Sequence, residues 1–280
     1  MPADFPRERS AIFLFIVLAL GLSIGYWIVI HFWPKGVLPY ALEQTLWAIF
    51  RGFGPALAAV VAAYYARGCL GLHDLWSSLI RWRISWKLYL LAFLGPAIVV
   101  GLSIACSFFV SKAPVSFAPV NPIRLVMIFL VMIFIDGPLG EEVGWRGFLL
   151  PRLLERMNPV AASLIVGCVW YVWHFPLYAA DGMEFSPVTL STYFISTNAL
   201  AIIFTWFFLR NGGSTFFAII LHNTSNYFIY LSRMLFPQLR TVTAGKMLYV
   251  ILMALLGIAA AISMQRKRQQ VVFSSAAVGG

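Results

Sequence analysis

The chain has 280 residues, 61% of them hydrophobic and 11% charged, with a mean hydropathy of +0.86; a soluble globular chain carries about a quarter charged residues, so a water-soluble globule is excluded. The formal net charge of +10 raises nucleic acid as a partner, but Lys and Arg are spread over short connections and form no basic stripe, which excludes that class and suits anionic lipid headgroups. Cys69, Cys106 and Cys168 form no CxxC pair and no even-numbered framework, so they read as small packing residues, with no disulfide scaffold or zinc-thiolate site.

Apolar runs of about twenty residues recur along the chain, each long enough to cross a hydrocarbon core about 30 Å thick. Windows of about nineteen residues predict helices over 11–33, 42–66, 86–109, 124–150, 159–179, 187–209, 214–236 and 243–264. Arg7 and Arg9 precede the first run, but no small-residue cleavage site follows it, so it reads as a retained helix. Trp33-Pro34-Lys35-Gly36, Asn121-Pro122, Asn158-Pro159, Ser186-Pro187 and Asn211-Gly212-Gly213 punctuate the runs, and no soluble domain fits between them. The expected fold is all-α: one polytopic membrane domain over 1–280, with about eight transmembrane helices enclosing an intramembrane polar site. Residues 1–10 form the N-terminus, 11–264 the core and 265–280 the tail.

An even number of spans puts both termini on one side. That side holds Arg7, Arg9, Arg67, Arg81, Arg83, Lys87, Arg152, Arg156, Arg210, Arg266, Lys267 and Arg268, and the opposite side holds only Lys35, Lys112, Arg124, Arg233, Arg240 and Lys246. By the positive-inside rule both termini face the cytoplasm. Residues 67–87 mix Trp and Leu with Arg, as a helix lying at the membrane interface does. The tail after Arg268 reads as disordered, and no internal repeat supports an inverted-repeat transporter.

The fourth run contains Gly140-Glu141-Glu142-Val143-Gly144-Trp145-Arg146, two carboxylates and a guanidinium in otherwise apolar surroundings. Ionisable groups at such depth cost at least a few kcal/mol each and mark function by default. Residues four apart share a helix face while adjacent ones diverge by about 100°, so Glu142 pairs with Arg146 and Glu141 points elsewhere. Gly140, Gly144 and Gly147 allow close approach by another helix or a substrate backbone, and Gly137-Pro138 loosens the helix before them. The fifth run ends in Trp170-Tyr171-Val172-Trp173-His174, and the seventh holds His222-Asn223-Thr224-Ser225-Asn226, with His222 and Asn226 one turn apart on one face.

Structural roles compete with each of these. A single intramembrane His often only bonds one helix to another, and Glu142 with Arg146 can be a buried structural pair; Glu141 has no such partner in sequence. Arg51 can line a polar cavity or snorkel to an interface, and His31 and His73 read as interfacial.

Glu-Glu-x-x-x-Arg in one helix, an aromatic followed four residues later by His in the next, and His-x-x-x-Asn two helices on resemble the CPBP family, the CAAX proteases and bacteriocin-processing enzymes also called Abi. The resemblance covers residues 120–235, with Gly52-Phe53-Gly54-Pro55 a weaker echo. The family's second motif usually begins with Phe where this chain has Trp170, a departure expected to bear on substrate fit more than on chemistry.

The resemblance implies an eight-helix membrane fold with a site open towards the cytoplasm, cutting a peptide bond near the C-terminus of a peptide or lipidated protein within the bilayer, as eukaryotic relatives do with prenylated CAAX proteins. Carried over by position, Glu141 activates water and His174 holds it, His222 and Asn226 stabilise the oxyanion, and Glu142 with Arg146 positions the site. A carboxylate kept from bulk water can serve as the general base, and preorganised donors can stabilise the tetrahedral intermediate. Family members are often labelled metalloproteases, and Glu141, His174 and His222 are a sufficient ligand set for a divalent ion such as zinc. The HExxH helix is absent, so metal-bound and metal-free water both stay open, and no other cofactor is expected.

Two other classes are open: a non-catalytic immunity or binding membrane protein, and an ion- or proton-coupled transporter. The concentration of polar residues in three motifs argues against transport, and the presence of all six motif positions argues against binding alone. Counted from the predicted helix starts, His174 lies about 22 Å along its helix and His222 about 12 Å along its own, a mismatch that a shared site must overcome.

Overall fold

A computed structural model describes residues 7–32, 39–116, 119–135, 137–180, 185–239 and 242–278. Among these no strand occurs, and the chain is all-helical. The elements are α1 (Glu8–Phe32), α2 (Tyr40–Arg67), α3 (Cys69–Leu79), α4 (Trp86–Ser111), α5 (Pro122–Ile135), α6 (Pro138–Glu142), a π-helical stretch (Val143–Leu149), α7 (Leu150–Leu154), α8 (Pro159–Trp173), α9 (Phe175–Ala180), α10 (Pro187–Phe208), α11 (Thr215–Leu235) and α12 (Thr243–Val278). The Trp33-Pro34-Lys35-Gly36 break lies outside the described residues, as does the side chain of Arg51.

Local chemistry explains several helix starts. Asn158, Ser186 and Ser214 each turn a side-chain oxygen back to accept a backbone N–H of the first turn, and Pro159 and Pro187 occupy first-turn positions where no N–H is needed. Seven of the eight predicted runs are helical at their centre, and the run 124–150 bends at its centre, Gly137. Four described helices are long and apolar enough to cross a membrane, or five if α5 and the segment after it count as one bent span, so the count of eight spans is not reached on that criterion. The shortfall has physical reasons. α8 has only 15 residues, and α11 spends its centre on His222, Asn223, Thr224, Ser225 and Asn226.

The predicted single helix over 124–150 is broken. α5 ends at Ile135, Gly137 takes φ +96°, Pro138 starts a new helix, and the two parts meet at a bend of 42°. The helical ladder then loosens to π geometry over Val143–Leu149, a departure frequent at functional sites. The tail departs in the opposite direction: α12 runs on to Val278. No Gly or Pro falls between Met264 and Val278, and Gln, Lys and Arg are good helix formers.

The helices close into a ring. α1 packs on α2, α2 on α6 and the π stretch, α6 on α11, α11 on α4, α4 on α12, α12 on α10, α10 on α8, and α8 again on α1. Ala11 and Ala19 of α1 meet Ala58, Ala59, Ala62 and Ala63 of α2 in a fully buried core, and such small residues let backbones approach closely. Phe15 fills the space beside them, stacking on Phe148 at 5.0 Å and meeting Trp145 edge-on at 5.6 Å. A second core joins Ala92, Phe204, Phe207, Phe217 and Leu221. Large apolar side chains such as Phe13, Phe109, Ile123 and Phe134 point outward, as lipid requires. The outer surface also carries Cys69 and Cys168, both exposed, so only half-buried Cys106 fits a packing role.

One end of the ring is tied by charge. Glu8 accepts from Arg67 Nε at 2.5 Å and from Arg152 Nε at 2.9 Å, joining α1, α2 and α7. From there α3, entered through Gly68 at φ +59°, lies across α2 and the π stretch.

Candidate active site

Glu141 and Glu142 end the short helix α6, and glycines place it. A side chain on Gly140 would run into the carbonyl of Gly52 and approach Phe53 Cα at 2.7 Å; one on Gly144 would meet Pro55 Cβ at 2.5 Å. Gly52-Phe53-Gly54-Pro55 of α2 is therefore the floor on which the glutamate element rests. Gly137 clears space for the other direction, because a Cβ there would collide with Glu141 Oε1.

The two carboxylates have different owners. Glu142 is fully buried, and its Oε1 accepts from Arg146 Nη1 at 2.8 Å and from His222 Nδ1 at 2.8 Å. Glu141, 4% exposed, accepts at Oε2 from the indole Nε1–H of Trp170 at 2.6 Å. Bonds to an ionised acceptor are each worth about 1.5–3 kcal/mol, and they fix both side chains. Glu142 Oε2 and Arg146 Nε and Nη2 are buried without a hydrogen-bond partner among the described residues. Such buried polar capacity is rare in folded proteins and marks this pocket as one built for more than packing.

Trp170 is the hub. Its ring centroid lies 5.6 Å from that of His174 and 5.4 Å from that of His222, while the Arg146 guanidinium lies 4.9 Å above it and 4.3 Å above Phe204. The two histidines are connected through the indole of Trp170, one turn before His174, whose ring lies beside both of theirs. Each imidazole is oriented through Nδ1. His174 Nδ1 lies 2.8 Å from the Trp170 carbonyl, which can only accept, and His222 Nδ1 lies against the Glu142 carboxylate. For His222 the opposite nitrogen, Nε2, is then the one turned away from Glu142.

Glu141, Glu142, Arg146, His174 and His222 are thus joined directly or through Trp170. Asn226 lies half-buried one turn beyond His222 on α11. Its neighbour Asn223, which motif spacing does not single out, is fully buried and donates to the Phe129 carbonyl at 2.9 Å, locking α11 to α5. Tyr178 stacks on His174 with centroids 5.7 Å apart, and Tyr193 meets both rings edge-on; sequence reading passed over these two. Exposed His73 lies outside the cluster. Among the described residues no three His, Cys, Asp or Glu side chains are gathered closely enough to hold a metal ion, so the set Glu141, His174 and His222 is not arranged as ligands here.

A buried acid–imidazole–guanidinium centre enclosed by lipid-facing helices defines an integral membrane protein with a polar intramembrane site. Residues 122–228 match the family described as Rce1-like, type II CAAX prenyl endopeptidase Rce1-like, and over that segment the resemblance carried by the three motifs is shown. The chain is also similar to "CAAX prenyl protease 2" of Methanococcus maripaludis, at 35% identity over 88 residues. That stretch spans 29% of this chain and 32% of the relative's length.

Proposed function

We propose that the protein is an intramembrane endopeptidase that hydrolyses a peptide bond near the C-terminus of a prenylated, CAAX-type substrate. The observation that carries this reading is Trp170, which bonds Glu141 and sets its ring beside those of His174 and His222. Glu141 takes a proton from a water held by His174 Nε2, and the water oxygen attacks the scissile carbonyl. His222, as an imidazolium with its Nδ1–H held by Glu142, donates its Nε2–H to the oxyanion as it forms, and Asn226, one turn on, adds its amide N–H. The proton on Glu141 then passes to the departing amine. Arg146 holds Glu142 in place, and the Trp170 N–H keeps one oxygen of Glu141 occupied so that the other, above Gly137, does the chemistry.

The test is cleavage of a quenched fluorescent farnesylated CAAX peptide by purified protein in detergent. Glu141→Gln should lower kcat by about 10²–10⁴-fold, the usual contribution of a general base. Unchanged turnover in that variant would remove Glu141 from the mechanism, and absence of cleavage by the wild type would move the reading to a non-catalytic binding role. A chelator should leave the rate unchanged; loss of activity restored by zinc would replace this scheme with a metal-bound water.

A further inference from the structure

The helices around the site are not equally tight. α4 and α12 run antiparallel, and near the start of α12 a side chain on Gly245 would strike Ser107 Oγ and the Ser103 carbonyl of α4. Gly257 similarly presses α12 onto α10, where a Cβ would lie 3.1 Å from Ala199 Cα. Towards the other end the helices part around a cavity of about 340 Å³, walled by such residues as Leu91 and Pro96 of α4, Phe207 of α10 and Ala260 of α12. That volume falls among small-molecule sites of about 300–1,000 Å³. Its walls are almost wholly apolar.

One part of the rim is charged. Trp206 and Ser263 line the cavity, and Arg210, just past the end of α10, is tied to both. Its Nη2 donates to Ser263 Oγ at 2.9 Å and its guanidinium lies 3.8 Å from the centre of the Trp206 ring. Arg67, Arg146 and Arg152 each meet a carboxylate, whereas among the described residues Arg210 meets none. Burial pushes its pKa down with no nearby acid to offset that cost. Beyond Ser263 the chain continues as Met264-Gln265-Arg266-Lys267-Arg268, which adds positive charge to the same end of α12.

An apolar slot beside an arginine that lacks an acid calls for a ligand with a hydrocarbon tail and an anionic head. We propose that the cavity holds one acyl chain of an anionic phospholipid whose phosphate is met by Arg210. A zwitterionic headgroup carries its own compensating cation and is the poorer match. The inference is independent of the peptidase reading. It also puts the lipid next to the site, because Phe204 lines the cavity and lies against both Arg146 and His222.

Native mass spectrometry of the whole protein, supplied with phosphatidylglycerol or phosphatidylcholine of identical chains, tests it. One phosphatidylglycerol should be retained per protein, favoured about fivefold or more over phosphatidylcholine, the effect of one basic residue near an anionic lipid. Arg210→Lys should keep that preference and Arg210→Gln should abolish it, with thermal midpoints of both variants at the wild-type value. Ala260→Leu, which narrows the cavity, should lower retention of both lipids; if it fails to fold, the two Arg210 variants decide. Equal retention of the two lipids, an unchanged preference in Arg210→Gln, or one-for-one displacement of the lipid by a farnesylated peptide would overturn the proposal, the last by assigning the cavity to substrate.

Discussion

Trp170 is where the residue scale departs most from sequence expectation. An indole in place of the family's usual phenylalanine was expected to alter substrate fit, yet its N–H holds Glu141 at 2.6 Å, a bond that Phe cannot make. Trp170→Phe should keep the ring contacts to both histidines and lose that bond. A charge-assisted hydrogen bond of about 1.5–3 kcal/mol implies a fall in kcat of about ten- to a hundredfold with KM unchanged. Steady-state kinetics of the variant beside Glu141→Gln check this, and a change confined to KM would return Trp170 to substrate fit. Spacing alone made the Glu142–Arg146 pair legible, since four residues on one helix bring side chains together. The Glu142–His222 bond was not legible, because its partners are 80 residues apart in the chain, and neither was the capping of His174 by Tyr178 and Tyr193.

The glutamate element shows why a hydropathy window misplaces structure. Outside the motif, residues 124–150 carry charge only at Arg124 and Asp136, so a hydropathy window reads them as one helix. The break needs only Gly137 with φ +96°, and a single residue hardly moves a window average. Gly137-Pro138 was a local sign of loosening, but the π geometry after it depends on the fit of Gly140 and Gly144 against α2. Gly140→Ala should therefore destabilise the protein by about 1–3 kcal/mol, the usual cost of overpacking, because the new methyl meets the backbone of Gly52 and Phe53, which cannot rotate away. Thermal unfolding in detergent measures this, with Gly25→Ala as the control, where a Cβ meets nothing within 4 Å.

At the scale of the molecule, a shared end for Arg67 and Arg152 was legible from the predicted spans, and both arginines bond Glu8. The three-way clasp at Glu8 was not, since an acidic residue seven places from the start of the chain reads as an unremarked flank. Glu8→Gln leaves two guanidinium groups facing each other without their shared acid. The expected loss is about 3 kcal/mol, the low end for breaking a buried pair because Arg67 is still a quarter exposed. A thermal midpoint lowered in Glu8→Gln and partly recovered in Glu8→Gln/Arg152→Met would verify it.

The division of the two carboxylates between neighbours has a consequence for biosynthesis. Glu141 is held by α8 and Glu142 by α11, and both helices leave the ribosome after the glutamate element. A half-made chain in the membrane thus carries two acids with neither the indole nor the imidazole that orient them. The centre is completed only when α11 has been delivered, so, on the endopeptidase reading proposed above, a polypeptide still being threaded into the bilayer holds no finished blade to turn on itself or on its neighbours.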